Sequence, residues 1–68
     1  SLTDGYLNLT SEKELSRVMI YTLNGLEIAS YTLNGYRYSE EITNQFPELF
    51  VLKVIYADGT EDIFKLYK

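Results

Sequence analysis

Asn/Asp-Gly pairs punctuate this chain, among them Asn24-Gly25, Asn34-Gly35 and Asp58-Gly59. Each stands between runs rich in β-branched and aromatic residues. Both members of such a pair tolerate positive φ, which makes Asn-Gly and Asp-Gly strong hairpin signals. The first two belong to a repeated pentapeptide, YTLNG, whose copies begin at Tyr21 and Tyr31. The intervening runs read as strands: Tyr6 to Leu9, Arg17 to Thr22, Leu26 to Thr32, Tyr36 to Ile42, Leu49 to Tyr56 and Glu61 to Tyr67. Short strands at this spacing, with turn signals between them, predict an all-β sandwich or barrel. We expect a small antiparallel β-sandwich of six to seven strands joined by hairpins, with YTLNG recurring because the fold needs the same turn chemistry twice.

Turn chemistry and apolar pattern together predict register. At Asn24-Gly25 a two-residue turn sets Ile20 opposite Ala29 and Val18 opposite Tyr31. A three-residue loop with Gly25 as a bulge sets Ile20 opposite Ile28 and Thr22 opposite Leu26. The second gathers Val18, Ile20, Leu26 and Ile28 on one face, with Arg17, Met19, Tyr21, Glu27, Ala29 and Tyr31 on the other. A one-residue slip exchanges the faces of a strand, so burial favours the three-residue loop. The same logic at Asp58-Gly59 pairs Leu52 with Phe64 and Phe50 with Leu66, and turns Lys53 and Lys65 to water. Pro47 lacks an N–H and should stand just before its strand. Ser11 to Glu14 fits a capping box, so one helical turn is expected at Thr10 to Leu15.

At 68 residues the chain is one domain with a small core. It has no cysteine and no histidine, which removes disulfides, thiolate and imidazole metal sites and His-based triads in their usual forms. Ten acids against six bases give a net charge of −4, a balance that repels phosphate backbones; no nucleic-acid partner is expected. The longest apolar run, Leu49 to Ala57, is broken by Lys53 and is too short to span a bilayer. The start at Ser1 reads as a fragment of a longer protein. Adjacent carboxylates at Glu40-Glu41 and Glu61-Asp62 point to opposite faces of a strand and make no acid/base couple. Asp58, Glu61 and Asp62 lack the spacing of an EF-hand. We expect no catalytic residue, metal or cofactor. Seven tyrosines are the one conspicuous excess. Tyr21, Tyr31, Tyr36 and Tyr38 are the candidate binding face for a protein or carbohydrate partner. An exposed edge strand is a route to a weak homodimer.

Several segments resemble one known family. Val18-Met19-Ile20-Tyr21-Thr22-Leu23-Asn24-Gly25-Leu26-Glu27-Ile28 is similar to the V-x-I-Y-D-x-x-G-x-x-V hairpin of the C-terminal sorting domains (type A) of the bacterial type IX secretion system. Phe46-Pro47 with Phe50 to Val54 resembles that family's L-P-x-G-x-Y-x-x-K-V stretch. Asp58-Gly59 and the closing Lys65-Leu66-Tyr67-Lys68 resemble its terminal D-G…K-x-x-x-K strand, and Asp4 to Leu9 its opening one; Lys53, Lys65 and Lys68 are the lysines of this C-terminal motif. The matches run in order along nearly the whole chain. Thr22 stands where the family has Asp, and the Gly-x-Tyr after the proline is missing. The resemblance implies an Ig-like sandwich at the C-terminus of a secreted or surface protein, in the periplasm only in transit. It implies the secretion or attachment machinery, or the parent's upstream domain, as partner. The alternative expectation is an Ig-like interaction or spacer module that stays on its parent.

Overall fold

In the computed structural model, residues 2–3, 5–43 and 46–67 are described, and they are all-β. Five strands form: β1 (Leu2–Thr3), β2 (Tyr6–Tyr21), β3 (Glu27–Glu41), β4 (Leu49–Tyr56) and β5 (Glu61–Tyr67). Every pairing is antiparallel. Four strands lie side by side in the order β3–β2–β4–β5, and β1 flanks the start of β2. The expected count of six to seven strands is therefore not met among the described residues. Two pairs of short strands have fused into the long β2 and β3.

The first fusion replaces the helical turn expected at Thr10 to Leu15. β2 pairs Thr10 with Arg37 and then Leu15 with Gly35, so residues 11–14 arch out opposite residue 36 alone. The arch is held from outside its own segment. The Glu14 carbonyl accepts the Ala57 N–H at 2.9 Å. Lys13 Nζ donates to Thr60 Oγ1 at 3.0 Å, lies 3.6 Å from Asp58 and sits 5.1 Å above the Tyr56 ring. A single helical turn nucleates poorly, and these contacts with the β4–β5 turn outweigh it.

The second fusion corrects the reading of Asn34-Gly35. That pair lies inside β3, where Gly35 faces Leu15. Positive φ occurs at Gly5, Gly25 and Gly59 among the described glycines. Continuing β3 past Gly35 pairs Tyr38 with Leu9 and Glu40 with Leu7, which carries Tyr38 and Leu7 into the core. A turn at Gly35 forfeits that burial. The YTLNG repeat thus serves once as a turn and once as a strand. No atom lies within 4 Å of a methyl placed at either Gly25 or Gly35, so backbone conformation alone separates them. Gly25→Ala, at φ 92°, is expected to cost about 1 kcal/mol. Gly35→Ala is expected to be neutral or to stabilise by about 0.5 kcal/mol, since glycine weakens a strand interior. Urea melts of the two variants check the contrast.

At Asn24-Gly25 and Asp58-Gly59 the turns form as three-residue loops. In the first, Thr22 N–H donates to Leu26 O at 2.8 Å and Gly25 N–H to Thr22 O at 3.0 Å. One step further the register departs from expectation. Tyr21 faces Glu27, but Ile20 faces Ala29 and Val18 faces Tyr31. Ile28 is the extra residue of a β-bulge, which exchanges the faces of everything beyond it. Leu26 is corrected too: it sits at the turn, 69% exposed. In the second loop Gly59 has φ 90°. Leu52 faces Phe64 and Phe50 faces Leu66, as expected, with no break along β5. Pro47 precedes β4.

A straight strand of β2's 16 residues spans about 53 Å, yet the longest dimension of the protein is 31 Å. The β2–β3 hairpin bends between Thr10 and Leu15, where its register breaks. Its far arm turns over β4 and β5. Leu7 and Leu9 there join Leu52, Phe64 and Leu66 around a recess of 90 Å³. Leu7, Leu15, Val18, Ile20, Phe50, Leu52 and Val54 are all but fully buried beneath the fold-over. Phe46 meets Phe50 edge-on, with ring centres 5.4 Å apart.

Candidate functional site

The sheet has a second face, and no described element covers it. Pairing places its residues in cross-strand rows, because directly opposed residues point the same way. One row reads Ser30–Met19–Lys53–Ile63, the next Thr32–Arg17–Ile55–Glu61, and the third Glu27–Tyr21–Val51–Lys65. Leu49 and Tyr67 complete one end. Contacts confirm the common face. Arg17 Nε donates to Ser30 Oγ at 3.2 Å, the Tyr21 hydroxyl to Met19 Sδ at 3.3 Å, and Lys53 Nζ lies 3.5 Å from Glu61. Met19 is almost covered by its neighbours, while Ile63 is 64% and Tyr67 73% exposed. The result is a mixed surface four strands wide, in which Met19, Tyr21, Val51, Ile55, Ile63 and Tyr67 are interleaved with three cations and two carboxylates.

The four candidate tyrosines do not share this face. Tyr21 lies on it, but Tyr31 faces Val18 and so belongs to the core side. The bulge at Ile28 is the cause. Tyr38, beyond the bend, is part of the core cluster, and its ring centre lies 6.0 Å from that of Tyr31. The Tyr38 hydroxyl donates to Glu40 at 3.2 Å. Burial first, and the Glu40 charge second, push the Tyr38 phenol far above its ordinary value. The hydrogen bond to Glu40 also raises Tyr31. Tyr36 is exposed, in β3.

Of the motif lysines, Lys53 and Lys65 lie on the open face, and Lys68, like Asp4, is outside the described residues. Asn24-Gly25 and Asp58-Gly59 form the two hairpin tips; Pro47 leads into β4. The three carboxylates near the second tip are engaged separately. Asp58 accepts the Thr60 hydroxyl at 2.6 Å and its N–H at 2.9 Å, bonds that hold its carboxyl below the ordinary value. Asp62 accepts the Tyr56 hydroxyl at 2.7 Å, which raises that phenol, and Glu61 forms an ion pair with Lys53 at 3.5 Å. Among the described residues no group of three or more metal-ligating side chains converges.

A shallow depression of 480 Å³ lies on the far arm of the hairpin, lined by Asn8, Leu9, Thr10, Arg37, Tyr38 and Ser39. Its one charged group is Arg37. Among the described residues no helix is long and apolar enough to cross a membrane.

Sequence reasoning placed Arg17, Met19, Tyr21, Lys53 and Lys65 outward but missed Val51, Ile55, Ile63 and Tyr67 as parts of one surface. The signal was present. FVLKVIY and IFKLY are apolar at both parities, as in strands that meet something on each face. Comparison with protein-family models, with curated proteins and with solved structures returned no match.

Proposed function

We propose that this protein is a non-catalytic sorting or attachment module of a secreted or cell-surface bacterial protein, and that it docks through its open sheet face. The observation that carries the reading is that face: four strands wide, with exposed apolar side chains such as Ile63 and Tyr67 set around a central Lys53–Glu61 ion pair. Such a surface is expected to meet another protein surface. The sorting role comes from the resemblance to type IX C-terminal domains. In this reading the folded-over hairpin arm and the β4–β5 sheet act as the two layers of a small Ig-like sandwich. The partner is the secretion or attachment machinery, or the upstream domain of the parent.

The test is a reporter carrying this chain at its C-terminus, in a host with the apparatus. The reporter is expected outside the cell. Tyr21→Ala with Tyr67→Ala, both on the open face, is expected to hold it in the periplasm while the far-ultraviolet dichroism stays unchanged. Periplasmic retention of the unaltered fusion overturns the sorting role. The position of Tyr21 and Tyr67 on one face favours a second reading, a module retained on its parent, since tyrosine is enriched at interfaces. Full-length protein at the surface, still reactive to an antibody against this domain, selects that reading.

A further inference from the structure

The two long outer strands of the sheet, β3 and β5, have no strand on their outer sides among the described residues, and they are not alike. β3 is interrupted by the bulge at Ile28 and by the bend opposite Leu15. Bulges and twist turn an edge away from a straight partner. β5 is unbroken from Glu61 to Tyr67. It is also apolar on both faces, with Ile63 64%, Phe64 38% and Tyr67 73% exposed.

The hydrogen-bond phase of that edge follows from the turn. Tyr56 N–H donates to Thr60 O at 2.9 Å, so Tyr56 and Thr60 form a bonded pair. Bonded and non-bonded pairs alternate along an antiparallel ladder. Asp62, Phe64 and Leu66 therefore bond to β4. The N–H and C=O groups of Glu61, Ile63 and Lys65 point away from the sheet, ready to accept a further strand.

We propose that the occupant is a second copy of this chain, paired β5 to β5 in antiparallel fashion about a two-fold axis at Ile63. Charge selects the register. An axis at Asp62 sets two aspartates face to face, and one at Lys65 sets two lysines face to face; like charges directly opposed destabilise a sheet. An axis at Phe64 places Asp62 against the partner's Leu66. With the axis at Ile63, Glu61 faces the partner's Lys65 twice over, and the two isoleucines meet between these pairs on the open face. The outward groups of residues 61, 63 and 65 then make about six backbone hydrogen bonds. Asp62 does not obstruct the partner's Phe64, because its carboxylate is turned back to the Tyr56 hydroxyl at 2.7 Å. The dimer joins two open faces into one sheet, eight strands across.

So short an interface is expected to be weak. Sedimentation equilibrium from about 10 µM to 1 mM is the measurement, a span that covers weak association constants. A reversible monomer–dimer equilibrium is expected. Lys65→Glu should raise Kd on the order of tenfold, and Glu61→Lys likewise, while E61K/K65E together should restore it. The chain has no cysteine, so Ile63→Cys and Thr32→Cys each carry one thiol. A short thiol crosslinker should trap a dimer of the first and not of the second. A protein monomeric across the range overturns the proposal. So does a dimer crosslinked through Thr32 on β3, or one in which the double charge exchange fails to rescue. The reporter assay is independent of this result, so a monomeric protein that is still exported leaves the docking reading standing.

Discussion

Phe50→Ala is expected to leave a large part of the population unfolded at room temperature. Phe50 is fully buried at the second position of β4, faces Leu66 and holds the edge of the Phe46 ring. Truncating a buried phenylalanine costs about 3–5 kcal/mol, from lost transfer energy and the cavity left behind. A chain of this size holds roughly 3–5 kcal/mol in total. The loss is therefore comparable with the whole stability. Phe50→Leu keeps most of the volume and is expected to cost less than about 1.5 kcal/mol. A urea melt followed by far-ultraviolet dichroism separates the two. A cooperative Phe50→Ala transition with an unshifted midpoint would show that the fold-over of the β2–β3 hairpin contributes little.

The second large effect is alkaline unfolding. Tyr38 is buried beside Glu40, and both burial and that charge oppose ionisation of its phenol. Tyr31 and Tyr56 are raised as well, by hydrogen bonds to Glu40 and Asp62. An acid whose folded value lies above its unfolded value contributes stability that is complete below the unfolded value, near 10 for tyrosine. That contribution is lost as pH climbs above it, because the unfolded chain releases protons the folded chain keeps. Stability is thus expected to be level up to about pH 9 and to fall steeply above pH 10. Absorbance at the phenolate band should rise with the loss of dichroism rather than before it for the buried ring. Tyr38→Phe is expected to shift the alkaline midpoint upward relative to its own neutral-pH stability. Ionisation of all seven phenols in a folded protein near pH 10 would contradict the burial of Tyr38.

Local chemistry made some of the structure legible in advance. The β5 register followed from Asp58-Gly59, because a three-residue loop closed by a positive-φ glycine fixes which residues face each other. The inward set Phe50, Leu52 and Val54 followed from period-two alternation anchored by Lys53. The loop at Leu23 to Gly25 was readable for the same reason. The register beyond it was not, because a bulge at Ile28 shifts the pairing by one residue and no local residue signals it. That one residue moved Tyr31 from the open face to the core side and dissolved the expected tyrosine face.

Local sequence accounts for the strand character of the chain, the turns at Asn24-Gly25 and Asp58-Gly59 and the faces of β4 and β5. These depend on backbone preference and side-chain alternation within a few residues. Long-range packing makes Ser11 to Glu14 arch instead of coil and Asn34-Gly35 run straight. The same packing folds the β2–β3 hairpin over its own sheet. Those outcomes turn on partners distant in the chain: Ala57, Asp58 and Thr60 for the arch, and Leu7 and Leu9 for the far arm of β3. A local signal worth about 1 kcal/mol, such as a positive-φ glycine, yields when the alternative buries Leu7 and Tyr38 together.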